Sequence, residues 1–212
     1  MSRESDASEA VSEGVPTGSA ADGGPATGTA PAEPPRVSPY SARAKIGRVL
    51  WGVVSATVWR VSPPGWDGLR RWLLRVFGGR IGAGVRIAPS VRVEIPWNLT
   101  IGAGARVCEH AILYCLGPVE IGDATLVGPY AHLCAGTHDY TDPRFTLVRE
   151  PIRVGSGCAL LTASFVAPGV VVGDGAVLKP RAGLYRDAEA GRVYAGNPAR
   201  PVETEDEAGV HA

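Results

Sequence analysis

From Ile81 to Leu178 the chain repeats a six-residue unit, an aliphatic residue often followed by Gly and then by small or turn-forming residues. The first run reads Ile81-Gly82-Ala83-Gly84, Ile87-Ala88-Pro89-Ser90 and Val93. After a two-residue slip it resumes as Ile101-Gly102-Ala103-Gly104, Val107 and Leu113. A second slip leads to Ile121-Gly122-Asp123-Ala124, Val127-Gly128-Pro129-Tyr130 and Leu133. Following a break, Val154, Leu160, Val166, Val172 and Leu178 keep the spacing without error. Neither a helical period nor simple alternation fits this stretch. A six-residue period predicts a parallel β-helix, in which each hexad supplies one short strand and a corner and three hexads close a triangular coil. The aliphatics point inward and stack coil on coil at roughly 4.8 Å.

Around this repeat the chain changes character. Residues 1–38 hold no aromatic residue and are rich in Ala, Gly, Ser, Pro and Glu, a composition that predicts a disordered tail. The same expectation covers the tail 201–212. Between them, 39–78 predicts two amphipathic helices. Ile46, Val49, Leu50, Val53, Val54, Thr57, Val58 and Val61 recur at helical spacing, and Pro63-Pro64-Gly65 stops the run. Leu69, Trp72, Leu73 and Val76 then share one side of a second helix that ends at Gly78-Gly79. Both apolar sides are expected to pack on the domain 79–200. A peripheral membrane contact through 40–77 stays open, because residues 36–80 carry nine basic residues against Asp67 alone. Neither helix reaches the ~20 apolar residues of a membrane span.

Formal net charge is zero, so no global field selects nucleic acid as a partner. The four cysteines form no C-x-x-C pair and no zinc spacing, and the first residues do not resemble a signal peptide. These features predict a cytoplasmic protein with free thiols, the cysteines serving as small fillers.

Several stretches resemble the bacterial hexapeptide-repeat acyltransferases, and within them the colanic acid biosynthesis acetyltransferases. They are Leu73-Leu74-Arg75-Val76-Phe77-Gly78-Gly79-Arg80-Ile81-Gly82, Pro96-Trp97-Asn98-Leu99-Thr100-Ile101-Gly102, Thr137-His138-Asp139-Tyr140-Thr141-Asp142-Pro143 and Gly196-Asn197-Pro198-Ala199. The resemblance covers about residues 40–202. It implies a left-handed coil, a homotrimer with sites between subunits, and acetyl-CoA as donor, with no metal.

Acyl transfer to an alcohol needs a base for the hydroxyl proton and donors for the oxyanion. His138 closes the Leu133 hexad, just where the pattern fails over a loop spanning 139–151, and its imidazole suits proton transfer near neutral pH. It is the predicted general base, with Asp139 orienting it, contacting the acceptor, or holding the loop's own backbone. Tyr140, Asp142, Arg144 and Phe145 on the loop are acceptor-side candidates, as are Cys108 and His110. The resemblance to galactoside and maltose acetyltransferases implies coenzyme A contacts at Thr162, Pro180, Tyr185, Arg186 and Arg200, with the two guanidiniums suited to phosphate. The chain departs from its branch at Gly157-Cys158-Ala159-Leu160, where an aromatic is usual, at Lys179-Pro180, and at Tyr185-Arg186.

The expected reaction is direct acetyl transfer to a sugar hydroxyl in exopolysaccharide or glycan biosynthesis, the acceptor being free or lipid-linked. An amino-sugar nitrogen or a small natural product would be alternative acceptors, and a non-catalytic trimeric scaffold is a further reading. γ-Class carbonic anhydrases use the same coil with three zinc-binding histidines. Here that would require His110, His132 and His138, with His132 and His138 on successive corners.

Overall fold

The computed structural model describes residues 41–202. Of the two tails read as disordered, residues 1–38 and 203–212 lie outside the described residues, whereas Pro201 and Val202 belong to the last strand. Strands stack into three parallel sheets, the three faces of a coil. The first face is built from Arg80–Ile81, Leu99–Ile101, Val119–Ile121, Ile152–Val154 and Val171–Val172. The second holds Arg86–Ile87, Arg106–Val107, Leu126–Val127, Ala159–Leu160, Val177–Leu178 and Val193–Ala195, with Arg200–Val202 closing it antiparallel. The third holds Arg92–Val93, Ile112–Tyr114, His132–Cys134, Phe165–Val166 and Gly183–Leu184.

The register is the hexad pattern made physical. Ile81 pairs with Ile101 and Ile101 with Ile121 on the first face, while Val107 pairs with Val127 and Leu113 with Leu133 on the others. All of these side chains are buried. A second set of small inward residues fills the corners, among them Ala105, Ala111, Ala131, Ala176 and Ala182. Cys115 and Cys158 belong to this set as buried fillers, and all four cysteines are free thiols. Burial pushes the Cys115 thiol up to about 11. At the corner between first and second faces the coils nearly touch. A Cβ on Gly122 would sit 2.5 Å from the backbone of Gly155 and Ser156 in the next coil, so only glycine fits.

The first coil would expose a row of strand carbonyls at its open edge. Two helices cover it: α1 (Ala42–Val54), which runs on into a π turn at Ser55–Trp59, and α2 (Asp67–Val76). Their side chains donate to that edge. Trp51 Nε1 reaches Val93 O at 2.7 Å, Trp59 Nε1 reaches Val91 O at 3.2 Å, and Arg71 reaches Val85 O at 2.8 Å. Arg75 forks onto Ile81 O at 3.0 and 2.5 Å. Arg70, 1% exposed, bonds Ser62 Oγ, Pro63 O and Asp67, and Asp67 in turn accepts from the Ile87 N–H at 2.9 Å. Burial opposes the Asp67 charge, but the Ile87 N–H and the Arg70 guanidinium hold its carboxyl below the usual range.

Helix α1 is turned opposite to the sequence expectation, and α2 departs from it in part. Trp51 and Trp59 are the buried anchors, while Ile46, Val49, Leu50, Val53, Val58 and Val61 point away from the coil. In α2 Leu69 and Leu73 pack inward as expected and Leu74 joins them, whereas Trp72 and Val76 are exposed. The physical reason is the edge itself. Unpaired carbonyls favour indole and guanidinium donors over aliphatics, so the donor-bearing sides of the helices face inward.

Candidate active site

After Ala135 and Gly136 the chain leaves the coil at the corner between third and first faces. Thr137–His138 pairs antiparallel with Leu147–Val148, which makes a short hairpin with His138 opposite Leu147. The loop carries its own frame. Asp139 accepts from the Thr141 N–H at 2.9 Å and hydroxyl at 2.6 Å, and its own N–H donates to Thr146 O at 2.9 Å. Asp142 accepts from the Arg144 N–H at 2.9 Å and Nε at 3.3 Å, and from the Thr146 hydroxyl. The Thr146 hydroxyl and Arg144 N–H hold the Asp142 carboxyl at about 2, and Thr141 lowers that of Asp139 in the same way. Asp139 therefore uses its carboxylate on Thr141, and the loop-holding alternative describes its geometry.

Phe145 takes a left-handed backbone conformation, φ +52°, fixed by its N–H bond to Asp142 O at 2.8 Å. Its ring stacks on the His138 imidazole with centroids 4.7 Å apart and planes within 10°. His138 is exposed, so its ring is held on one face and open on the other. Tyr140 stands out in solvent.

The remaining candidates sit elsewhere. Cys108, His110, Thr162 and Pro180 line one edge of the coil, the corner between second and third faces. Successive backbone bonds run along it: Tyr130 N–H to Glu109 O, Ala163 N–H to Pro129 O and Arg181 N–H to Thr162 O, at 2.8–3.0 Å. His110 stacks on Tyr130 at 4.9 Å, both in left-handed conformations. Burial and Glu109 push the Cys108 thiol up. At the far end of the coil, Tyr185, Arg186 and Arg200 converge with Pro198 and Ala199 on a cleft of 250 Å³.

The loop and this edge flank the third face from opposite sides, on the order of 15 Å apart by strand geometry. Between them lies a row of aromatics, of which the sequence had singled out His132 and Tyr185 for other roles and had not brought out Tyr114 or Phe165. Tyr114 meets His132 at 6.2 Å, His132 meets Phe165 at 5.4 Å, and Phe165 meets Tyr185 at 5.6 Å. His132 lies on a strand of this face, not at a corner as the three-histidine reading needed. Burial lowers its pKa, and its Nε2 is shut from solvent with no hydrogen-bond partner. The signal was present: aromatics occupy outward positions beside Leu113, Leu133, Val166 and Leu184, all in the third column of hexads. Among the described residues no three His, Cys, Asp or Glu side chains group as metal ligands.

No protein-family model matches the sequence. The putative colanic acid biosynthesis acetyltransferase WcaF of Escherichia coli (strain K12) is 42% identical over 160 residues, which cover 74% of this chain and 88% of that protein. The chain belongs to the hexapeptide-repeat acetyltransferases, in their colanic acid branch. Nodulation protein L of Rhizobium meliloti (strain 1021) is 30% identical, covering 63% of this chain and 76% of that one. Among solved structures, galactoside acetyltransferase in complex with coenzyme A matches with TM-score 0.72 and 20% identity, over 78% of this chain and 84% of that one. A hexapeptide-repeat acetyltransferase of Vibrio cholerae, complexed with acetyl coenzyme A, matches at 0.71 and 21%, over 78% and 91%. These likenesses fix the fold as a parallel β-helix, as the repeat predicted, with the left hand that the family resemblance implied.

Proposed function

We propose that this acetyltransferase moves an acetyl group from acetyl-CoA directly to a sugar hydroxyl, with His138 as general base. The observation that carries the reading is the His138 imidazole, presented on a hairpin whose polar frame is internally satisfied and whose one ring face is pinned by Phe145. His138 takes the hydroxyl proton as the oxygen attacks the thioester carbonyl. The tetrahedral oxyanion then collapses, the carbon–sulfur bond breaks, and the departing thiolate of coenzyme A takes that proton from the His138 imidazolium. Asp139, Asp142 and Phe145 position the loop, and Tyr140 and Arg144 lie beside the acceptor. Cys108 and His110, with Tyr130 against them, contribute to the acceptor side from the coil edge.

Acetyl-CoA would lie along the corner column of Thr162 and Pro180, with Arg186 and Arg200 holding its phosphates at the terminal cleft beside Tyr185. A base and a donor groove on opposite sides of one face cannot meet within hydrogen-bond reach in a single chain. A homotrimer resolves this, since the loop of one copy can meet the donor edge of the next. The likeness to WcaF, a putative colanic acid biosynthesis acetyltransferase, supports an acceptor in glycan biosynthesis.

The test is release of free thiol from acetyl-CoA in the presence of a panel of sugars and amino sugars. A sugar-dependent signal that falls about 10²–10⁴-fold in kcat/KM for His138→Ala is expected. Transfer by His138→Ala at the parent rate would sink the mechanism, and absence of any transfer would favour a scaffold. Preference for an amine over a hydroxyl would move the acceptor to an amino-sugar nitrogen.

A further inference from the structure

Helix α1 is amphipathic, yet its apolar side faces solvent. Trp51 and Val54 turn toward the coil, while Ile46, Val49, Leu50 and Val53 stand 62, 68, 55 and 59% exposed on the opposite side. Val58 and Val61 extend the stripe past the π turn, and Trp66, Trp72 and Val76 add exposed area from α2 and its approach. A groove of 560 Å³ lined by Ile46, Leu50, Val76, Phe77 and Trp97 joins the two helices into one surface. Nine large apolar side chains held open to water within 31 residues mark a surface built to be covered.

We propose that this helical face docks on an anionic lipid surface. Charge around the stripe is what selects that occupant. At 100° per residue, Arg43 and Lys45 fall on either side of the Ile46–Val53 stripe, and Arg60, Arg75 and Arg80 are exposed nearby. Asp67 is the lone acid between residues 41 and 80, and its carboxylate is already engaged by Arg70 and the Ile87 N–H. Apolar residues bordered by cations, with tryptophans at the margin, form the pattern of a helix lying in the headgroup region. No helix among the described residues is long and apolar enough to cross a membrane, so the helix would lie on the surface.

Other occupants fit less well. A second copy presenting the same face would bring the same cations into contact. The acidic segment 1–38 matches the charge, but it has no aromatic residue and little beyond Ala and Val to cover the stripe. Docking would also bring the enzyme to lipid-borne sugars; that last step alone rests on the proposed acetyl transfer.

Flotation of the full chain with phosphatidylcholine vesicles, and with vesicles that also contain phosphatidylglycerol, tests the proposal. Binding is expected to be strong only with phosphatidylglycerol and to weaken as salt is raised. Val49→Ser with Val53→Ser should lower partitioning about tenfold or more while thermal midpoint and acetylation of a soluble sugar stay at parent values. Arg43→Glu with Lys45→Glu should lower it most at low salt. Absence of flotation, or a serine double variant that floats like its parent, overturns the proposal. So does a parent that ignores vesicles but whose oligomer dissociates on the serine substitutions, since the face would then belong to a second copy. Acetylation of a soluble sugar is scored separately, so a failure of docking and a failure of the catalytic reading give different results.

Discussion

Among the described residues no carboxylate is hydrogen-bonded to His138, which shifts attention to Phe145. In this loop Asp139 and Asp142 hold backbone and threonine hydroxyls, so the orientation of the imidazole rests on a ring stacked 4.7 Å away. The left-handed backbone of Phe145 is what turns that ring inward. Replacing Phe145 by Ala should therefore free the imidazole. A drop of about fivefold in kcat with little change in KM for acetyl-CoA is expected in steady-state kinetics, because stacking of this kind is worth about 1 kcal/mol. His132 offers a second test at the same scale. Its folded pKa is lowered by burial, so the neutral form favours the folded state. Stability contributed in this way is present above the unfolded value of about 6.5 and is lost as pH falls through the lower folded value. Denaturant midpoints measured from neutral to mildly acidic pH should fall for the parent and lose that component in His132→Phe.

The elements that cap the coil show how polar groups choose the inward side of a helix. Trp51, Trp59, Arg71 and Arg75 are donors to carbonyls of the first coil, and Arg70 joins α2 to the Ser62–Pro63 turn and to Asp67. Arg70→Met would keep the stem but leave the Asp67 carboxylate and the buried Ser62 hydroxyl without their guanidinium. Unfolding by denaturant should show a loss of about 3 kcal/mol. The third face has its own lesson. Its outer surface carries Tyr114, His132 and Phe165 where a solvated face would carry polar residues, and these form the floor between the loop and the coil edge of Thr162 and Pro180.

For the whole molecule, the stacking distance is the governing quantity. Gly122 lies where adjacent coils come so close that a Cβ would meet backbone atoms at 2.5 Å. Gly122→Ala should force the coils apart and destabilise the fold by about 2 kcal/mol or more, read as a lowered thermal midpoint. Sedimentation of the purified chain should give a mass three times that of the monomer if base and donor edge come from neighbouring copies.

The six-residue period determined the coil, its three columns and the inward aliphatics, because a period of that length closes only when each hexad makes one side of a triangle. The failure of the period after Leu133 likewise located the loop and His138, and the Gly196-Asn197-Pro198-Ala199 run marked the closing end. What the period could not hold is anything that depends on which neighbours a side chain meets. The direction of α1 was decided by unpaired carbonyls on the first coil, which drew Trp51 and Trp59 inward against the aliphatic pattern. Asp139 was diverted to Thr141 by the loop's need to satisfy its own backbone. The gathering of Tyr185, Arg186 and Arg200 on one cleft required the chain to fold back antiparallel at Arg200–Val202. Local spacing sets which residues point in or out of a repeating coil, whereas partners across coils and edges exist only once the chain has closed on itself.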